Sequence, residues 1–188
     1  MKVKEMYFKK YGVDMQSAAE EAYKVAAKCK SVNVYTTATE KLGEILIEKY
    51  DIFNTVFKTL YNQSVESVEK ITDKKRQRMG IDYVVNNKKI DIKVCCGPDY
   101  KYCPVEITQY GKVSYKNKST DLLLYILCDL RGIRVCVLDF NEYKRIVDDV
   151  ILNQSAKYEI NTSFNGTGTY VKYFIRSILN IQESIKCC

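Results

Sequence analysis

Apolar residues recur at helical spacing through the first part of the chain. Ala18, Ala19, Ala22, Val25 and Ala26 form one stripe over residues 14–30, Asp14 stands where a cap belongs, and lysines gather at the far end. That is the pattern of an amphipathic helix with a favourable charge at its C-terminus. Leu42, Ile45, Leu46 and Tyr50 repeat the period and predict a second helix over 39–50. Residues 52–62 fit a helix or a loop equally well. From Ser64 the period changes. Val65, Val68 and Ile71 lead into the basic stretch Lys74-Lys75-Arg76-Gln77-Arg78, and two β-rich runs, 81–85 and 89–95, then flank Asn86-Asn87. Asparagine tolerates the positive φ of a tight turn, so the pair predicts a hairpin. Further strands are expected at 104–108, 122–128 and 133–140, followed by a helix over 141–152 capped by Asn141. A loop rich in Asn, Gly, Thr and Ser covers 161–169, and a last short helix is expected over 171–179.

Helices, then a strand meander, then helix predict a single α/β domain over 1–188, with a central mixed β-sheet flanked by helices. Its parts are a helical N-terminal region (1–62), a sheet core (64–140) and a helical C-terminal region (141–188). The longest apolar run, 122–128, is seven residues bounded by Asp121 and Asp129. It suits a buried strand and falls far short of a membrane span. The charged opening Met1-Lys2-Val3-Lys4-Glu5 has no secretory pattern, so a cytoplasmic, reducing environment without membrane contact is expected.

Composition narrows the chemistry. The chain has eight cysteines but no C-x-x-C spacing, so thiols are expected rather than a zinc or disulfide framework. Cys95, Cys96 and Cys103 cluster, and Cys187-Cys188 ends the chain, without a further signal. There is no histidine. That removes Ser-His-Asp and Cys-His catalysis, H-E-x-x-H metalloproteases and His-dependent zinc deaminases. Hydrolysis would have to rest on carboxylates, lysines and a hard, oxygen-seeking metal. Thirty basic against 23 acidic residues give a net charge of +7, which suits a polyanionic partner and equally suits a basic soluble protein.

Candidate chemistry sits on the hairpin. If Asn86-Asn87 is a two-residue turn, Val85 pairs with Lys88, and counting outward sets Asp82 opposite Asp91, with Cβ atoms about 4.5–5.5 Å apart. Lys93, two residues beyond Asp91, points to the same face. Two carboxylates at that distance repel unless a positive charge lies between them, so the trio could hold a divalent cation beside a lysine. The same residues also fit the solvent side of an ordinary amphipathic hairpin, with Ile81, Tyr83, Val85, Ile90, Ile92 and Val94 as its core side.

The segment Gln77-Arg78-Met79-Gly80-Ile81-Asp82, followed by Ile90-Asp91-Ile92-Lys93-Val94, resembles the PD-(D/E)xK nuclease superfamily. In particular it looks like small viral and phage nuclease-fold proteins with a Q-x-x-G-I-D segment before the D/E-x-K strand. The resemblance extends through Val105-Glu106-Ile107, Gly111 and Thr120-Asp121-Leu122-Leu123-Leu124-Tyr125, and includes Gly43-Glu44 in the predicted helix over 39–50. It covers about 100 residues, 40 to 140, and Ile81 stands where the family name has proline. It implies a restriction-endonuclease-like fold and hydrolysis of phosphodiester bonds, DNA ahead of RNA and endonuclease ahead of exonuclease. Asp82 and Asp91 would bind Mg²⁺ or Mn²⁺, with the Ile92 carbonyl as a further ligand and Glu44 completing the shell. Lys93 would position or deprotonate the nucleophile. Glu40, Glu44 and Glu48 share a helix face, and only the resemblance selects Glu44. Gln77 and Glu106 resemble family positions flanking the site, and a structural role for either stays open.

Two basic clusters offer a nucleic-acid surface: Lys74, Lys75, Arg76 and Arg78, and Lys112, Lys116 and Lys118 interleaved with Tyr110 and Tyr115. Lysine neutralises phosphate and tyrosine stacks on bases. Two rival readings stay open: a binding or inhibitory protein that keeps the fold without catalysis, and an RNA-cleaving enzyme. A homodimer is compatible with the resemblance, since many such nucleases cut two strands as dimers.

Overall fold

The computed structural model describes residues 34–96, 102–129, 132–153, 158–162 and 168–181, together with Lys24. The helix expected over 14–30 therefore lies outside the described residues, except at Lys24, which is helical. Numbered among the described residues, the chain runs α1 (Val34–Lys49), α2 (Ile52–Tyr61), β1 (Val68–Lys70), α3 (Lys74–Arg78), β2 (Tyr83–Val85), β3 (Lys88–Cys96), β4 (Cys103–Gln109) and β5 (Lys112–Val113). A 3₁₀ turn (Ser114–Asn117) leads to β6 (Leu122–Asp129), β7 (Gly132–Asp139), α4 (Phe140–Asn153), β8 (Ile160–Thr162), β9 (Gly168–Tyr173) and β10 (Ser177–Ile181).

The apolar run 122–128 becomes the central strand. Every residue of it is buried, because β6 has a core on each face. Leu124, Ile126 and Cys128 join Val85, Ile90, Ile133 and Val135 under α1 and α2, which contribute Leu42, Leu46, Ile52, Phe53, Val56 and Phe57. Leu123, Tyr125 and Leu127 face the other way, toward Val105, Ile107 and Val171 of a second sheet and Tyr143, Ile146 and Val147 of α4. Period-two alternation on a doubly covered strand gives this continuous hydrophobic signature.

The larger sheet has the order β1-β2-β3-β6-β7-β10, with β3 and β6 parallel and all other pairs antiparallel. The smaller, β5-β4-β9-β8, is antiparallel. The chain is thus mixed α/β with a mixed sheet and flanking helices, as expected, and no described helix is long and apolar enough to cross a membrane.

One open reading is resolved and two expectations need correction. The ambiguous stretch 52–62 is helix α2, whose Ile52, Phe53, Val56 and Phe57 form a buried stripe. Helix α4 is capped by Asp139 rather than Asn141: the Asn141 amide donates to Asp139 Oδ1 at 2.8 Å. The helix expected over 171–179 is instead parts of two strands, so among the described residues the C-terminal region holds one helix and three strands. Val171 is buried against β4, while Leu179 and Ile181 pack onto the core beneath α1 and α2. Short apolar segments satisfy both periods, and here tertiary pairing decides.

Helix α1 lies close on β3 because residue 43 has no side chain. A Cβ there would stand 2.5 Å from Val94 Cγ2. Gly43→Ala should therefore destabilise the parent by about 1–3 kcal/mol through overpacking. In a Val94→Ala background the same change should become stabilising, by up to about 1 kcal/mol, since alanine favours helix over glycine. Urea unfolding of the four proteins measures the sign change; its absence would show that the close approach does not set the helix position.

Candidate active site

The hairpin forms with the expected register. Val85 pairs with Lys88, Val84 with Lys89 and Tyr83 with Ile90, around Asn86 and Asn87 at φ 46° and 66°. Asp82, however, precedes β2 instead of extending it. Its amide donates to the Ile90 carbonyl at 2.9 Å, its carbonyl accepts from the Ile71 amide at 2.8 Å, and its Oδ2 accepts from the Ile92 amide at 2.8 Å. The carboxylate so takes the partner position that a neighbouring strand would fill, at the edge of the sheet and not squarely on its face. Beyond Ile90, β3 pairs with β6 on one side and with no strand on the other among the described residues.

That open edge runs along a cleft of 1120 Å³. One wall is α1, with Glu40 and Glu44; another is the α3 region, with Lys74, Gln77 and Arg78; a third is β4, with Glu106 and Gln109. Gln77 is structural as well as lining, since its side-chain amide donates to the Ile71 carbonyl at 2.8 Å and holds the loop leading to Asp82.

Asp91 is the buried anchor. Its side chain is 2% exposed, yet both oxygens are matched: Lys93 Nζ lies 2.7 Å from Oδ1 and Lys118 Nζ 2.8 Å from Oδ2. Burial opposes its ionisation, but the two ammonium groups outweigh that and hold the carboxyl below its ordinary range. Burial likewise works against the charge on Lys93, and Asp91 again outweighs it, so the ammonium is held well above its ordinary pKa. Asp82 differs. Burial first, then the nearby negative charge of Asp91, push it up to about 6, against weaker help from the Ile92 amide and Lys93. Among the charges acting on Asp82 is that of Glu40, itself raised by burial and by Glu44.

The structure redistributes several expected roles. Lys118, assigned to a nucleic-acid surface, is 9% exposed on its side chain and lies within the site. Besides Asp91 it has Glu106 Oε2 at 3.9 Å and the Tyr143 ring at 5.7 Å. Gly80, at φ 71°, leaves room for it: a Cβ there would stand 3.2 Å from Asp91 Oδ2 and 3.5 Å from the Lys118 stem. Glu44 lines the cleft, but its oxygens bind Lys70 at 2.7 Å and Lys41 at 3.0 Å, while Glu40 is the helix acid that Asp82 senses. Tyr115 is held by its hydroxyl to Asp148, and Lys144 stands 5.6 Å above its ring. Lys112 and Lys116 are exposed, as are Lys74, Lys75 and Arg78, whereas Arg76 pairs with Glu69 at 2.8 Å. Cys95, Cys103, Cys128 and Cys136 are thiols.

Among the described residues no three Asp, Glu or Cys side chains gather closely enough to enclose a metal by themselves. The donor set still fits a hard divalent cation. Mg²⁺ binds through one or two carboxylates and keeps several waters or substrate oxygens, and a cation beside Asp82 would offset the burial and the repulsion that raise its pKa.

This repulsion has a pH signature in the metal-free protein. An acid whose pKa is higher folded than unfolded favours folding at low pH, and that advantage is lost as pH rises, here between 3.8 and about 6. Asp91 acts in the opposite sense, its contribution being present above its ordinary value and lost as pH falls through the depressed one. Asp82→Asn keeps an oxygen for the Ile92 amide and removes the repelled charge. At pH 7 it should melt above the parent, by no more than about 3 kcal/mol in stability, and the difference should vanish below about pH 4. Thermal melts across pH 3.5–8 in about 1 mM EDTA test this; a lower melting temperature at pH 7 would refute the repulsion. Compared with protein-family models, curated proteins and solved structures, the chain matches none.

Proposed function

We propose that the protein is a metal-dependent nuclease of the PD-(D/E)xK type, hydrolysing phosphodiester bonds with Asp82, Asp91 and Lys93. The observation that carries this reading is the meeting of Asp82, Asp91 and Lys93 at an open strand edge, on the floor of a cleft with exposed Lys74 and Arg78 on its wall. Asp82 and Asp91 would hold Mg²⁺ or Mn²⁺, and the Ile92 carbonyl lies on the strand between Asp91 and Lys93. When bound, the cation would supply Lewis acidity to the scissile phosphate and the attacking water. Lys93, kept charged by Asp91, orients a phosphate oxygen and stabilises its developing charge. This favours the positioning role of that lysine over proton abstraction. Lys74, Lys75, Arg78 and Lys112 would meet the polyanionic backbone. DNA is the first substrate to test and RNA the second.

A binder without catalysis draws on one specific observation: both Asp91 oxygens are already matched by ammonium groups. The two readings part on metal. For the nuclease, Mn²⁺ at a hundredfold excess over its Kd should stabilise the fold by about 2.7 kcal/mol, and hydrolysis of labelled DNA should need Mg²⁺ or Mn²⁺ and stop with EDTA. Asp91→Ala would strand the buried Lys118 charge and cost about 3–5 kcal/mol of stability, so loss of activity there is ambiguous. Lys93, 39% exposed, gives the cleaner test. Lys93→Ala should stay folded, bind DNA nearly as the parent does, and lose about 10²-fold or more in cleavage. Cleavage at the parent rate by Lys93→Ala, or a melt unmoved by millimolar Mn²⁺, would favour the binder.

A further inference from the structure

The β4–β5 hairpin breaks a rule that the β2–β3 hairpin keeps. Gln109 pairs with Lys112, so Tyr110-Gly111 is a two-residue turn, with φ 50° and 72°. Both central residues of such a turn take positive φ, which suits Asn, Asp and Gly; the β2–β3 turn uses Asn86-Asn87. A bulky aromatic residue is strained there, and strain of this kind points to a function when the side chain gains nothing from the fold. Tyr110 buries little: it is 73% exposed, and it lines the same cleft as Asp82, Asp91 and Lys93. Lys112 is exposed across the turn, and Lys74 and Arg78 are exposed on the α3 wall. An aromatic face and cations lining one groove are the two components of single-strand recognition, where bases stack and phosphates are neutralised.

We propose that Tyr110 is a base-stacking platform and that the cleft takes an unpaired nucleic-acid strand, an inference that rests on the nuclease reading of the same site. In duplex DNA the base faces are stacked on one another and cannot lie on a tyrosine; in a single strand they can. The strand would cross the cleft with a base on Tyr110 and its backbone toward Lys74 and Arg78, bringing a phosphate to Lys93.

Binding in EDTA separates this from catalysis. Fluorescence anisotropy of labelled dT12, of the same strand in a duplex, and of a dT12 with abasic sites should rank the single strand tightest for the full chain. Tyr110→Ala and Tyr110→Asn should weaken dT12 binding by about five- to a hundredfold, with Tyr110→Phe close to the parent. Tyr110→Asn should also melt higher than the parent, because it relieves the turn, so lost binding cannot be lost folding. The chain has no tryptophan, so Tyr110→Trp installs a single indole, whose emission dT12 should quench and the abasic strand should not. Parent-like dT12 binding by Tyr110→Ala, or duplex bound as tightly as single strand with no quenching, would overturn the proposal while leaving a nuclease that cuts duplex intact. Binding that depends on Tyr110 without any metal-dependent cleavage would sustain the proposal and overturn the nuclease. No binding to any of the three would overturn both.

Discussion

The carboxylate of Asp91 and its two lysines are the interaction around which this site is arranged. A charge that is 2% exposed survives only if it is matched, and here the matching groups come from two places in the chain. Lys93 lies two residues along the same strand, while Lys118 arrives from the segment between the 3₁₀ turn and β6. That segment is tied down at several points. Ser119 donates its amide to the Met79 carbonyl at 2.8 Å, Thr120 Oγ1 reaches the Lys89 carbonyl at 2.9 Å, and Asp121 exchanges hydrogen bonds with Lys89 through its amide and its carboxylate. These contacts hold the register of the parallel β3–β6 pair, so the buried ion pairs and the central sheet depend on each other.

The two faces of the sheet then divide the labour. Ile90, Ile92 and Val94 pack toward α1 and α2, and Gly43 lets that layer close on the strand. The alternate residues Asp91 and Lys93 turn toward the layer formed by β4 and α4, where Tyr143 ties α4 to β4 by its hydroxyl on the Glu106 carbonyl at 2.9 Å. Because β2 ends at its pairing with Ile90, the rest of β3 keeps an open edge. The cleft follows from that early termination, and Asp82, at the point where pairing ends, lines it while half-buried.

Local patterns were legible in the sequence, and long-range ones were not. Asn86-Asn87 announced both the hairpin and its register, because turn chemistry and the period of two act over a few residues. The run 122–128 announced a strand with two covered faces. Lys118 gave no such sign: its place on Asp91 follows from β6 lying parallel beside β3, a pairing across some thirty residues that no periodicity encodes. Helix phase was similarly hidden. Glu40, Glu44 and Glu48 share a face on the wheel, and only the approach of Gly43 to Val94 sets which of them the cleft receives. The parts of β9 and β10 within 171–179 suit a helix in sequence because their few apolar residues satisfy either spacing and their partners, β4 and β7, lie far away in the chain.

The fold treats the two aspartates unequally. Asp91 is stabilised twice over, while Asp82 is raised by burial and then by the like charge of Asp91, against weaker help from the Ile92 amide and Lys93. A fold built for stability alone would have neutral or apolar groups at 82, since nothing in the core depends on that carboxylate being ionised. Leaving it under-compensated on the floor of a cleft lined by charges of both signs creates a position where one more positive charge is favourable, and Lys93, already engaged with Asp91, offsets it only in part. A divalent cation would supply that charge. The same logic extends to the cleft walls, where Tyr110 is held in an unfavourable backbone conformation and left exposed. Both features are costly to the isolated chain, and they line the same cavity, which is why the two proposals rest on one site.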